Sequence, residues 1–202
     1  MTRIKLCGIM RLCDINIVNE LEPEYVGFVF YPKSKRCVTI EQARAFKASL
    51  KPSIQAVGVF VDETVELVAE LLREGVIDVA QLHGNEDEKY IAKLHSLTNK
   101  PIIKAFVMRS KEDLLKAERS MADYVLLDSG MGTGRTIDWE MLKEMHRPYF
   151  LAGGLTMENV DEAVITLRPY AVDVSSGIEI QGVKDKRKME AFVQAVRQVQ
   201  IR

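Results

Sequence analysis

The sequence predicts an α/β fold, a single-domain (β/α)8 (TIM) barrel over residues 1–202, on three observations. Eight short apolar, often β-branched runs recur along the chain; segments with apolar residues at helical spacing lie between them; and runs such as Val57-Gly58-Val59-Phe60-Val61 are apolar on both faces. Parallel strands covered by side chains inside and helices outside have that composition, whereas half-solvated antiparallel strands alternate. The strands begin near Ile4, Tyr25, Gln55, Val79, Ile102, Tyr124, Tyr149 and Ala171. Val65, Val68, Ala69 and Leu72 form a helical stripe after the third strand, and Ile91, Leu94 and Leu97 one after the fourth. Met189, Phe192, Val193, Val196 and Val199 form the last. Each stripe supplies one buried helix face. Eight units favour closure, at the compact end of a fold that starts at about 200 residues; a doubly wound open sheet is the alternative.

Composition narrows the chemistry. At 202 residues and 47% hydrophobic content the chain supports one substantial core. Lys and Arg total 28 against 29 Asp and Glu, a net charge of -1, so no global field draws nucleic acid or an anionic membrane, and an anionic ligand needs a local site. Met1-Thr2-Arg3-Ile4-Lys5 leads straight into the first strand without a signal-peptide pattern, and no run reaches the length of a membrane span. Cys7, Cys13 and Cys37 are an odd set without paired spacing, against a disulfide framework or zinc ribbon. The cytoplasm is the expected compartment.

In a barrel, chemistry sits where strands end and βα loops begin. Cys7 closes the first run and Asp128 the sixth. A thiol is often a small core hydrophobe; at a strand end beside Gly8 and near Lys5 it is equally placed to act as a thiolate base. Asp128 either caps a loop with Ser129-Gly130 or, with its pKa raised by the apolar residues before it, serves as a general acid. Asp173, within Ala171-Val172-Asp173-Val174, is expected to orient neighbouring groups. Cys13 is expected to pack in the first helix, and Cys37 to be buried or half-buried.

Gly153-Gly154 and Ser175-Ser176-Gly177 follow the last two strands, where glycine backbone N–H groups and serine hydroxyls suit a phosphate. Gly132-Thr133-Gly134 is a lid or simply a loop. Arg36, in Tyr31-Pro32-Lys33-Ser34-Lys35-Arg36, is solvated surface or a bidentate partner for a carboxylate. Asp62, Gln81 and Lys104 are further strand-end polar groups. His83 does acid/base work or satisfies its loop, and with His95 and His146 expected on helices no metal site is expected.

Six segments, in order, resemble the signatures of the phosphoribosylanthranilate isomerase family. They are Lys5-Leu6-Cys7-Gly8-Ile9, Gly27-Phe28-Val29-Phe30-Tyr31-Pro32-Lys33-Ser34, Gln81-Leu82-His83-Gly84, Gly132-Thr133-Gly134 with Asp138-Trp139, Leu151-Ala152-Gly153-Gly154-Leu155, and Val172-Asp173-Val174-Ser175-Ser176-Gly177-Ile178-Glu179. The resemblance implies a cofactor-free, metal-free Amadori rearrangement of N-(5-phosphoribosyl)anthranilate in tryptophan biosynthesis. It assigns Cys7 as general base, Asp128 as general acid and Arg36 to the anthranilate carboxylate. Gly153, Gly154, Ser175, Ser176 and Gly177 fall at the phosphate, with His83 and Asp173 in support. A small phosphorylated substrate is the expected partner, and the chain is expected to be a monomer or homodimer. Met131 replaces a common glycine in a shortened loop, Cys37 a common aromatic residue and Met157 a common proline. An isomerase acting on the histidine-pathway aminoaldose is the alternative enzyme, disfavoured by the thiol at Cys7, and a non-catalytic phosphate-binding barrel is the alternative outside catalysis.

Overall fold

A computed structural model describes residues 1–128 and 139–199. Eight parallel strands close into a barrel in sequence order: β1 (Arg3–Cys7), β2 (Tyr25–Val29), β3 (Gln55–Phe60), β4 (Val79–Leu82), β5 (Ile102–Val107), β6 (Tyr124–Asp128), β7 (Tyr149–Ala152) and β8 (Ala171–Val174), with β8 returning to β1. Seven strands start at the residue the sequence predicts; β1 starts one residue earlier, at Arg3. The helices α1 (Leu12–Leu21), α2 (Ile40–Ser49), α3 (Val65–Arg73), α4 (Glu88–Leu97), α5 (Lys111–Arg119), α6 (Trp139–Leu142), α7 (Val160–Leu167) and α8 (Lys186–Val199) follow the strands in turn. A short hairpin, β9 (Glu179–Ile180) with β10 (Val183–Lys184), precedes α8. Among the described residues no helix is long and apolar enough to cross a membrane.

Alternation along each strand sorts side chains into two cores. Ile4, Leu6, Val26, Phe28, Ala80 and Leu82 join the layer between strands and helices. Tyr25, Val57, Val79, Ile103, Leu126 and Phe150 fill the barrel. Phe150 is fully buried there, with Tyr25, Tyr124 and Tyr170 around it at ring-centroid distances of 5.4, 5.8 and 5.5 Å. Of the expected stripes, α3 buries Val65, Val68, Ala69 and Leu72 as read, whereas Leu97, the last residue of α4, is exposed, because successive steps of three residues rotate it away from Ile91.

The N-terminal rim carries a repeated contact that no sequence repeat announces. Glu24, Asp78 and Asp123 each stand one residue before an even-numbered strand and accept the backbone N–H of Ile4, Ala56 and Ile102, each at 2.8 Å. Each carboxylate thus satisfies a strand-start donor of the preceding odd-numbered strand. Cys13 and Cys37 depart from expectation, since both are exposed. Cys13 follows the exposed Leu12 on the solvent side of α1, and Cys37 lies in the surface segment leading to α2.

Phe150→Ala empties the centre of the barrel and is expected to destabilise it by about 3–5 kcal/mol, the usual range for a buried aromatic residue. Urea unfolding followed by circular dichroism checks this, with a loss below about 1 kcal/mol showing that the interior collapses around the gap.

Candidate active site at the C-terminal rim

Inward-facing residues at the strand ends line one cleft of 460 Å³. Cys7 and Asp128 are the last residues of β1 and β6 and both line it, with Arg36, His83 and Asp173. Gly153, Gly154, Ser175 and Ser176 form the wall beside the ends of β7 and β8. Gly177 lines the adjoining hollow with Thr156 and Lys188. Its role in the loop is steric, because a Cβ there would lie 2.0 Å from the Leu155 carbonyl oxygen. The loop candidate Gly132-Thr133-Gly134 and Asp138 lie outside the described residues.

The thiol stands over a buried ion pair. Lys5 and Cys7 occupy the same face of β1, two residues apart, and the fully buried Lys5 ammonium donates to Asp173 Oδ1 at 2.9 Å. Cys7 is 8% exposed. Burial pushes its thiol above the usual value, and this outweighs the opposing Lys5 charge and hydrogen bond, with Asp173 adding to the rise. The Lys5 charge thus favours the thiolate, as the sequence suggests, while desolvation opposes it. Burial likewise disfavours the Lys5 ammonium, but Asp173 and Cys7 together hold its pKa above normal. Gly27, the register partner of Cys7 on β2, makes room for the sulfur, since a Cβ there would lie 2.5 Å from Sγ.

Across the cleft, Asp128 is 27% exposed in its side chain, so it is less desolvated than its apolar run suggests. His83 Nε2 stands 3.7 Å from Asp128 Oδ2, and His83 Nδ1 is 2.9 Å from Gln81 Nε2. The loop presenting His83 is fixed from behind. Lys104 faces away from the cleft and donates to Glu86 Oε2 at 2.8 Å and to the Gly84 carbonyl at 2.7 Å. Glu86 in turn accepts the N–H groups of Asp62 and Gly84 at 2.8 and 2.9 Å. Lys104 and Asp62, both expected at the rim, thus serve loop structure.

Arg36 reaches the cleft across Gly8, where a Cβ would lie 2.5 Å from Arg36 Cδ. Its Nε and Nη2 donate to the two carboxylate oxygens of Glu179 at 2.6 and 2.7 Å. Glu179 Oε1 also accepts from the buried Lys184 Nζ at 2.6 Å, and Lys184 donates to the Ser175 carbonyl at 2.9 Å. Burial opposes the Glu179 carboxylate, yet Arg36 and Lys184 hold its pKa below the usual range, while Lys184 is itself pushed down by burial. Glu179 and Lys184 are positioning residues that sequence reasoning missed. Glu179 sat at the end of a recognised segment without a role, and Lys184 meets it only through the β9–β10 register.

Gly153 and Gly154 adopt φ of 93° and 62°, a conformation that favours glycine and turns the chain tightly at the end of β7. Among the described residues no group of three or more His, Cys, Asp or Glu is placed to hold a metal ion.

The family model described as N-(5'phosphoribosyl)anthranilate (PRA) isomerase matches residues 4–195. An N-(5'-phosphoribosyl)anthranilate isomerase of Caldanaerobacter subterraneus subsp. tengcongensis is 45% identical, over 98% of this chain and 100% of its own length. That of Endomicrobium trichonymphae is 42% identical, over 98% and 99%. The crystal structure of phosphoribosyl anthranilate isomerase from Thermotoga maritima superposes with a TM-score of 0.88 at 35% identity, over 98% of this chain and 100% of that one. A structure of such an isomerase in complex with reduced 1-(o-carboxyphenylamino)-1-deoxyribulose 5-phosphate gives 0.88 at 36%, with the same coverage.

The three cysteines give a direct test of the thiol's environment. Iodoacetamide at pH 8 is expected to alkylate the exposed Cys13 and Cys37 first, with Cys7 roughly tenfold slower or more and its pH–rate midpoint above the usual thiol value. Peptide mass spectrometry of a time course checks the order, and Cys7 reacting fastest would contradict the desolvated thiol.

Proposed function

Because the chain belongs to the N-(5'-phosphoribosyl)anthranilate isomerase family of tryptophan biosynthesis, we propose that its residues 1–202 act as one catalytic domain converting N-(5-phosphoribosyl)anthranilate to 1-(2-carboxyphenylamino)-1-deoxyribulose 5-phosphate. The observation that carries this is the single cleft lined by Cys7, Asp128, Arg36 and the glycine turn after β7. The reaction needs an acid and a base on either side of the ribose, and an anchor for the charge at each end of the substrate.

Asp128, protonated, delivers its proton to the furanose ring oxygen as the C1′–O bond breaks and the anilino nitrogen lone pair forms the Schiff base. Cys7, as thiolate, then removes the C2′ proton, and the electron pair moves through C1′ to nitrogen, giving an enolamine. Tautomerisation, with a proton delivered to C1′ and the C2′ hydroxyl proton lost, yields the ketone. Lys5 favours the thiolate that burial and Asp173 resist, so the ammonium beneath the sulfur supports the base. His83 steadies the ionised form of Asp128 after the first transfer. Arg36 holds the anthranilate carboxylate while Glu179 keeps its guanidinium in place, and the loops at Gly153-Gly154 and Ser175-Ser176-Gly177 hold the phosphate. The setting is the cytoplasm, and the working form is a monomer or a homodimer.

Turnover of freshly prepared phosphoribosylanthranilate, followed by loss of its fluorescence, tests the activity, and no turnover by the purified chain would refute it. Cys7→Ser is expected to lose nearly all kcat while still binding substrate, because a hydroxyl is far less acidic than a thiol. Wild-type kcat in that variant would exclude Cys7 as the base.

Arg36→Met is expected to weaken substrate binding by roughly 2–5 kcal/mol, seen chiefly in KM. Inorganic phosphate should inhibit the variant and the parent equally; a weakened phosphate constant with intact anthranilate recognition would mean that the two ends of the cleft are reversed.

A further inference from the structure

We propose that Gln81 contacts the substrate, its side-chain carbonyl accepting a hydrogen bond from a hydroxyl of the opened ribose chain; this rests on the isomerase activity proposed above. Gln81 lies on β4 between Ala80 and Leu82, which face the helices, so its own side chain turns inward to the cleft. It is 1% exposed. One end of the carboxamide is committed, with Nε2 2.9 Å from His83 Nδ1. The other end is orphaned, because the buried Oε1 has no hydrogen-bond partner among the described residues. Tyr90 Oη, the other such atom, belongs to α4 and does not line the cleft.

A buried carbonyl without a donor is disfavoured, and native structures seldom retain one without a reason. The flanking strands cannot satisfy it: the register partners of Gln81 are Val59 on β3 and Ile103 on β5, both apolar. The missing partner must therefore bring a proton into the cleft. The substrate's phosphate and carboxylate chiefly accept hydrogen bonds; its donors are the ribose hydroxyls and the anilino N–H, and the ortho carboxylate already accepts from the latter. A hydroxyl held by Gln81 is coupled through His83 to the Asp128 side, because a Gln81 Nε2–H donated to Nδ1 leaves the imidazole proton on Nε2, facing Asp128. Gln81 thereby makes the cleft selective for a hydroxylated chain, since a site built around a hydroxyl rejects analogues that lack it.

The test uses reduced product analogue, 1-(2-carboxyphenylamino)-1-deoxyribitol 5-phosphate, and versions lacking one ribityl hydroxyl each, titrated calorimetrically into wild type and Gln81→Met. In wild type one deoxy analogue should bind roughly 10- to 100-fold more weakly than the parent, and in Gln81→Met that gap should close to about twofold. The variant's phosphate inhibition constant should be unchanged, since the phosphate loops are untouched, and its thermal midpoint should shift little, because the lost Gln81–His83 hydrogen bond is offset by removal of the unsatisfied carbonyl. A gap that persists in Gln81→Met, or parent affinity equal to wild type, overturns the contact. Gln81→Leu repeats the comparison if the methionine variant does not fold. A wild type that neither turns over phosphoribosylanthranilate nor binds the analogue refutes the isomerase activity and this contact together, whereas a turning-over wild type without gap closure refutes the contact alone.

Discussion

The barrel closes where β8 returns to β1, and at that seam Lys5 and Asp173 are register partners joined by a buried ion pair. Every inward side chain of the two strands is set by this register, because a slip of one residue would turn Lys5 and Cys7 into the helix layer and Leu6 into the barrel. A buried pair is weak evidence for stability, since apolar residues of similar volume often serve as well or better. Its retention makes sense through what lies above it. The same ammonium that closes the seam acts on Cys7 by its charge, so one lysine ties barrel closure to the state of the thiol.

The two rims divide the work. At the N-terminal rim Glu24, Asp78 and Asp123 spend their carboxylates on backbone N–H groups of the neighbouring strands, which fixes where strands begin. At the C-terminal rim the charged groups are arranged around the cleft instead. Even there, pairs such as Lys104–Glu86 and Lys184–Glu179 sit behind the loops, leaving Cys7 and Asp128 at the surface of the cavity. Loops that present chemistry are in this way stiffened by ionic contacts on their far sides.

Strand positions were legible because a parallel strand buried on both faces leaves an apolar run that polar loops bound sharply, and residues such as Cys7 and Asp128 stand at those bounds. Side-chain direction was less legible. Lys104, expected at a strand end like Cys7, lies inside β5 and points to the helix side, and a period of two cannot be phased from one polar residue. Cys13 and Cys37 misled because residue type alone does not place a thiol, and α1 exposes Leu12 as well. Glu179 and Lys184 were invisible as a pair because a two-residue hairpin brings them together, and such short strands carry no periodic signal. The desolvation of Cys7 likewise depends on neighbours from other strands.

Gly27 gives Cys7 its space, and the allowance lies on a different strand from the atom that uses it. Positions 7 and 27 therefore form one unit of selection. The thiol at 7 is admissible only while 27 remains glycine, and a side chain at 27 meets the Cα of residue 7 as well, at 3.1 Å. Substitutions at the two positions are order-dependent, so a lineage that filled position 27 would lock out the thiol, although neither the seam at Lys5 nor the loops around Asp128 had altered.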